Sequence, residues 1–392
     1  MSNAEFVDGL IKQGDLNVRW REVFLRAARA DYVPDLIWEN NSGRWRQIDR
    51  RTEPKEWFAR VHSPDYVVLQ LDDGQADGPR QMTCSSSMPS ANAALLEAAD
   101  LAPGMRVCEA GGGYGWMAAL LCALVGDAHV TTIELDPGLA REGQMHLHAA
   151  RVHPHVVRGD AARGYPRGAP YDRIVSTMAV RRVPTAWLRQ APGGLIVTPL
   201  HTPLAGYGLL RLDVADDGRS ASGHFVGDVA FMWSRPQRPA NWPPATEPIR
   251  ESTTLLDPEA IARDPRIRFA LGLRLPDVSY GWRFDAGERH ETLRVRLHDD
   301  AGSRAVAFCH GPRTVYQSGP RNLWDELEAA YAWYETAGSP ARHEFEVTVR
   351  AAHGRHNIRH LPTGESWTLP PLSSETRARA RAALPPLAGR GG

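Results

Sequence analysis

Lysine is almost missing from this chain. Of its 46 basic residues only Lys12 and Lys55 are lysines and the rest are arginines, so no arginine is informative merely by being one. Charge of one sign is missing as well. The 46 basic and 46 acidic residues cancel, which argues against a general nucleic-acid binder, whose surface would be dominated by positive charge. The longest apolar run, residues 116–125, is far short of the roughly 20 residues that cross a bilayer, so no membrane partner is expected. Residues 1–10 offer neither the basic nor the apolar region of a secretory signal. Cysteine is scarce: Cys84, Cys108, Cys122 and Cys309 show no CxxC or paired metal-type spacing, which excludes a disulfide framework and predicts no metal site. A soluble, cytoplasmic protein with reduced, mostly buried thiols is the expectation.

What is present suits a globular chain of two or three domains: 392 residues, 42% hydrophobic and 23% charged, against a prior of about 150 residues per domain. Residues 16–30 carry apolar side chains at helical spacing. Residues 31–80 lose periodicity among prolines, turn residues and Trp38, Trp45 and Trp57, which predicts an irregular aromatic-rich segment. A helix is expected from Pro89 towards Pro103. From 106 to 200 short apolar runs (107–110, 130–133, 156–157, 174–176, 195–197) alternate with helical stretches at 116–125 and 137–151, the pattern of an α/β, doubly wound parallel sheet. Residues 209–214 and 224–232, joined by Asp216-Asp217-Gly218, read as an appended hairpin. Five prolines within 236–248 mark a linker. Beyond it, strands at 293–297, 305–308 and 345–350 and a helix opening at Asn322 predict a C-terminal α+β domain over 249–392, with an Arg- and Ala-rich tail from 374.

Chemistry concentrates where the first run, ending in Glu109-Ala110, enters Gly111-Gly112-Gly113-Tyr114-Gly115 ahead of a helix. Glycines permit a tight turn and let backbone N–H groups approach a ligand at the helix N-terminus. Gly113-x-Gly115-x-x-Ala118 also fits a dinucleotide fingerprint, which keeps an NAD-dependent oxidoreductase in view. Three acids argue against it. Glu134, ending the second run, can accept from ribose hydroxyls in either fold, but Glu109 and Asp160 suit S-adenosylmethionine (SAM), the first near its ammonium end and the second near its adenine.

Several segments in order resemble the protein L-isoaspartate O-methyltransferase family: Arg29-Ala30-Asp31-Tyr32-Val33-Pro34, Ser85-Ser86-Ser87-Met88-Pro89, Pro103-Gly104-Met105-Arg106-Val107, the glycine loop, Thr132-Ile133-Glu134-Leu135-Asp136, Gly159-Asp160, Tyr171-Asp172-Arg173-Ile174-Val175 and Pro192-Gly193-Gly194-Leu195-Ile196-Val197-Thr198-Pro199. The resemblance covers about residues 16–235. It implies a methyltransferase domain over 1–235 that binds SAM through Glu109, Gly111, Gly113, Gly115, Glu134 and Asp160. It also implies an active-site turn in which Ser87 and Ser85 act on the acceptor; Ser85 and Ser86 depart from the family's threonine and aliphatic residue. The serine run, Leu69-Gln70-Leu71-Asp72-Asp73-Gly74 and the C-terminal extension resemble members that act in biosynthesis of ribosomal peptide natural products (lanthipeptides, lasso peptides and graspetides). Three expectations follow. The acceptor is an Asp carboxylate of a cyclised ribosomal precursor peptide that ends as an aspartimide, Ser86, Asp72 and Asp73 contact this substrate, and the C-terminal domain recognises it. Repair of L-isoaspartyl residues in damaged proteins is the alternative in the same class.

Plainer readings stand beside these. Ser86 fits an ordinary polar turn, a serine hydrolase would need a G-x-S-x-G elbow that is absent, and His146, His148, His153 and His155 read as surface residues rather than ligands. Trp38, Trp45 and Trp57 are either core or one wall of a peptide groove.

Overall fold

Strands Val107–Ala110 and Leu195–Thr202 are buried at every position, as strands covered on both faces must be. Both belong to a ten-stranded sheet in a computed structural model that describes all residues except 245, 286–291, 375, 377 and 379–392. Its parallel half runs Leu195–Thr202, Arg173–Ser176, Val107–Ala110, Val130–Glu134, His155–Arg158. The chain builds outward from Val107–Ala110 in one direction, then returns to its other side. The order therefore reverses between Val107–Ala110 and Arg173–Ser176, and ligands of such sheets bind in the crevice beyond the strand C-termini at that reversal.

Three helices lie where the sequence placed them. Trp116–Val125 sits between Gly115 and Gly126, both at positive φ. Pro137–Ala149 starts with proline in its first turn, and Asp136 Oδ1 accepts from the Gly138 and Leu139 amides at 2.8 and 3.2 Å. Pro89–Ala99 ends at Asp100 in the left-handed conformation. The expected helix over 16–30 is instead the short helix Arg21–Arg26 between the 3-10 turns Val18–Trp20 and Arg29–Tyr32.

Residues 31–80 are ordered, contrary to the irregular segment expected. Leu36–Asn41, Arg44–Asp49, Val67–Leu71 and Met82–Ser86 form an antiparallel four-stranded sheet. Its first hairpin buries only Ile37 and Ile48, and its other positions are polar, charged or half-exposed. Alternation over such short strands gives almost no hydrophobic signal. Trp57 is fully buried and donates to the Pro34 carbonyl at 3.0 Å, and Trp38 lies beneath the Arg80 guanidinium.

The hairpin is Gly206–Val214 with Ser220–Gly227. Residues 228–238, partly assigned to its second strand on sequence, leave the sheet as a strap. The Ala179 amide donates to Met232 O and the Ser234 amide to Ala179 O, both at 2.8 Å. Past the proline-rich stretch, Arg250–Thr253, Ser279–Asp285, Thr292–His298, Arg304–Phe308 and Thr314–Ser318 make a third sheet, accompanied by helices Pro265–Arg274 and Leu323–Thr336. The chain then returns: Phe345–Arg350 pairs with Ser220–Gly227, and Arg355–His360 and Ser366–Leu369 complete the main sheet. Residues 345–369 are thus continuous with the main sheet, whereas the strands within residues 250–318 form a sheet of their own. The tail expected from 374 falls almost wholly outside the described residues.

Candidate active site

A cleft of about 940 Å³, partly open to solvent, lies at the strand-order reversal. On its floor, Gly111 and Gly113 adopt φ of +104° and +51°. A side chain on Gly111 would come within 2.8 Å of Thr177 Oγ1, and one on Gly112 within 2.5 Å of Thr132 Oγ1. The loop must therefore lack side chains to thread between two strand ends. Gly115 is not a lining residue; it sits at φ +90° behind the loop, where Leu147 packs too closely for a Cβ.

The three acids meet here. Glu134 Oε2 accepts from the Gly113 amide at 2.8 Å and Oε1 from Asp136 N at 2.9 Å. These bonds fix the carboxylate against the glycine loop with lone pairs left for a bound diol, while burial pushes its pKa up against their pull. Asp160 caps the turn Ala161–Arg163 through Oδ1 and faces the cleft. Glu109 is fully buried, and neither of its carboxylate oxygens has a hydrogen-bond partner among the described residues. Burial raises its pKa to about 8. A buried carboxylate without a partner is costly unless a cation meets it. The ammonium of SAM is such a cation, so this donor set fits the cofactor.

The serine turn forms the opposite wall. Ser85, Ser86 and Ser87 all line the cleft, and Thr83, Asn92 and Tyr32 join them. Among the described residues the Ser85 and Ser87 hydroxyls have no hydrogen-bond partner, whereas the Ser86 hydroxyl is committed to Arg29 Nε at 3.0 Å. Its oxygen accepts from that arginine, and the residue is 5% exposed. Asp72 is likewise turned into its own loop, at φ +51°, accepting from the Arg80 and Gln81 amides at 2.9 and 2.7 Å. Asp73 lies outside the lining and binds Arg235 at 2.9 Å and Arg238 at 3.0 Å. None of Trp38, Trp45 and Trp57 lines the cleft.

Sequence reasoning missed the strap. Met232, Trp233, Ser234, Arg235 and Pro236 roof the cleft. Arg235 Nη2 reaches Asp136 Oδ2 at 3.0 Å and Gln70 at 3.1 Å, so one side chain joins the strap, the glycine-loop side and the N-terminal sheet. Thr177 and Met178, just past Arg173–Ser176, supply the remaining side. Position beyond a strand end was the available signal for these two. No signal marked one arginine among so many. As for the histidines, His146 Nδ1 is bonded to the Asp31 carbonyl at 2.7 Å, and no cluster of metal-binding side chains occurs among the described residues.

A doubly wound sheet with acids at successive strand ends around a glycine loop defines a SAM-dependent methyltransferase fold. The family model "Protein-L-isoaspartate(D-aspartate) O-methyltransferase (PCMT)" matches residues 59–231. A protein-L-isoaspartate O-methyltransferase of Thermococcus sibiricus is 36% identical over 228 residues, spanning 57% of this chain and 87% of that one. One from Methylorubrum populi is 36% identical over 179 residues, 45% and 82% respectively. The chain belongs to this family of SAM-dependent carboxyl O-methyltransferases, which sets the NAD reading aside. The match spans only 56% of the Ignicoccus hospitalis relative, at 43% identity over 118 residues. A solved structure titled protein-L-isoaspartate O-methyltransferase superposes with a TM-score of 0.50 at 18% identity, covering 89% of this chain and 96% of that one. Coverage that wide reaches well past residue 235, so the fold of the C-terminal region also occurs under that title. The relatives named here give the likeness to peptide-tailoring members no support.

Proposed function

We propose that this protein transfers a methyl group from SAM to the free carboxylate of L-isoaspartyl residues in proteins or peptides. The observation that carries the reading is the placement of the Ser85 and Ser87 hydroxyls across one cleft from the glycine loop, in a chain of this family. Bound SAM supplies an electrophilic methyl on a sulfonium. A carboxylate with a reference pKa near 4 is already ionised at neutral pH, so no general base is needed. The chain's contribution is alignment: Glu134 and the loop hold the donor, Ser87 and Ser85 donate to the acceptor carboxylate, and the strap excludes water. An oxygen–methyl bond forms as the sulfur–methyl bond breaks and its electron pair stays on sulfur. In the ester, the following backbone amide nitrogen attacks the carbonyl carbon, and methanol leaves with the amide proton. The resulting aspartimide reopens with water, partly to the normal aspartyl linkage.

Methylation of a cyclised ribosomal precursor peptide uses the same chemistry and differs only in what enters the cleft. The test offers labelled SAM with an isoaspartyl peptide and follows methyl ester and methanol. Time-dependent methanol release from the isoaspartyl peptide is expected. Ester formed only on a cyclised precursor would move the assignment to peptide tailoring.

A further inference from the structure

Arg29 is 1% exposed, yet no carboxylate is among the partners described for it. Its guanidinium is spent on uncharged oxygens. Nε donates to Ser86 Oγ at 3.0 Å, and Nη1 to the Val61 and Ser63 carbonyls at 3.2 and 3.0 Å. Nη2 donates to the carbonyls of Asp65, Ser86 and Ser87 at 2.8, 2.8 and 2.9 Å. The Trp116 ring lies 5.1 Å beneath it. Burial lowers its pKa to about 9, so it remains charged at neutral pH. A buried cation whose hydrogen bonds all go to uncharged oxygens is expensive even with the Asp65 carboxylate near enough to favour its charge, and a stability role alone could be filled by an apolar side chain.

The two serine carbonyls it grips belong to the peptide units whose N–H groups are those of Ser87 and Met88. A trans peptide is planar, with C=O and N–H opposed. Holding both carbonyls on one guanidinium therefore turns both N–H groups away from Arg29, at the residue whose hydroxyl lines the cleft. We infer that Arg29 is a positioning residue for methyl transfer: by fixing the Ser86–Ser87–Met88 peptide planes it sets where Ser87 meets the acceptor carboxylate. This rests on the acceptor reading proposed above. Arg29 touches neither donor nor acceptor and acts only through the turn. Lysine keeps the charge but cannot span acceptors arrayed along a planar fork.

The experiment measures kcat, acceptor KM and SAM affinity for wild type, Arg29→Lys, Ser87→Ala and the double variant with an isoaspartyl peptide. Misplacing a reacting group by about 1 Å can cost on the order of a hundredfold. Arg29→Lys is accordingly expected to lower kcat by about 10- to 100-fold with SAM affinity kept within about twofold. The double variant should be no slower than Ser87→Ala alone, because Arg29 has nothing left to position. Wild-type kcat in folded Arg29→Lys overturns the inference, and so do losses that multiply in the double variant, the mark of a merely structural role. If Arg29→Lys does not fold, Ser86→Ala removes only the Nε acceptor. A smaller fall in kcat, again absent on a Ser87→Ala background, supports the inference, and no fall overturns it. Failure of the wild-type enzyme on the isoaspartyl peptide counts against the acceptor reading instead. The same comparison run with whichever carboxylate it does methylate then decides the role of Arg29.

Discussion

In the proposed function Glu109 and Glu134 divide the work of holding a charged donor, and each makes its own prediction. The Glu134 carboxylate is fixed by two backbone amides, and a hydrogen bond to a charged group is worth about 1.5–3 kcal/mol. Glu134→Ala should therefore weaken SAM binding tenfold or more by calorimetry; unchanged affinity in a folded variant would remove the residue from the site. Glu109 titrates near 8 when folded against an ordinary value of 4.5. Between those two values the folded state binds the extra proton, so stability without ligand, fully present below about pH 4.5, should be lost as pH rises towards 8. SAM affinity should move the opposite way, improving from pH 6 to 8 as the carboxylate ionises to meet an ammonium. Thermal unfolding and calorimetry across that range check both slopes, and Glu109→Gln should flatten both. At this scale the acids were legible because they fall at successive strand ends. The roles of Ser86, Asp72 and Asp73 were not, because their partners Arg29, Arg80, Arg235 and Arg238 are far away in sequence or part of an unmarked loop.

Among elements, the loop after Arg173–Ser176 is gripped by residues far along the chain. Arg181, 1% exposed, reaches Asp277 at 2.9 Å, Asp300 at 3.6 Å and Thr376 at 3.3 Å. Arg182 donates to Pro370 O, and Gln237 Oε1 accepts both loop amides at 2.7 and 2.8 Å. This loop carries Thr177 and Met178 into the cleft, so the C-terminal residues serve the site by gripping its wall. Removing one partner of a buried ion pair costs about 3–5 kcal/mol because the other charge is stranded. Arg181→Met should lose stability in urea unfolding, by less than that, because Asp277 keeps Arg182 at 3.8 Å and Asp300 keeps the Ser373 hydroxyl at 2.9 Å. The parallel strands and their helices were readable because two-sided burial writes continuous apolar runs. The N-terminal hairpin and the strap were not, since one buries only Ile37 and Ile48 and the other is fixed by backbone bonds to Ala179.

Over the whole molecule, the expectation of a separable C-terminal domain meets a sheet that runs through the supposed boundary. Phe345–Arg350 covers the edge of Ser220–Gly227, and an uncovered edge invites association. A chain ending at residue 248 is expected to be insoluble or unable to bind SAM; a soluble, SAM-binding fragment, assayed by gel filtration and calorimetry, would restore the independent domain. The central claim is that this cleft selects an isoaspartyl carboxylate. Its most direct test is kcat/KM for two peptides of one sequence, differing only in an isoaspartyl or a normal aspartyl linkage. Preference for the isoaspartyl peptide by at least about a hundredfold, roughly 2.7 kcal/mol of transition-state binding, is the predicted result. Equal rates, or a preference for the normal aspartyl peptide, would contradict it.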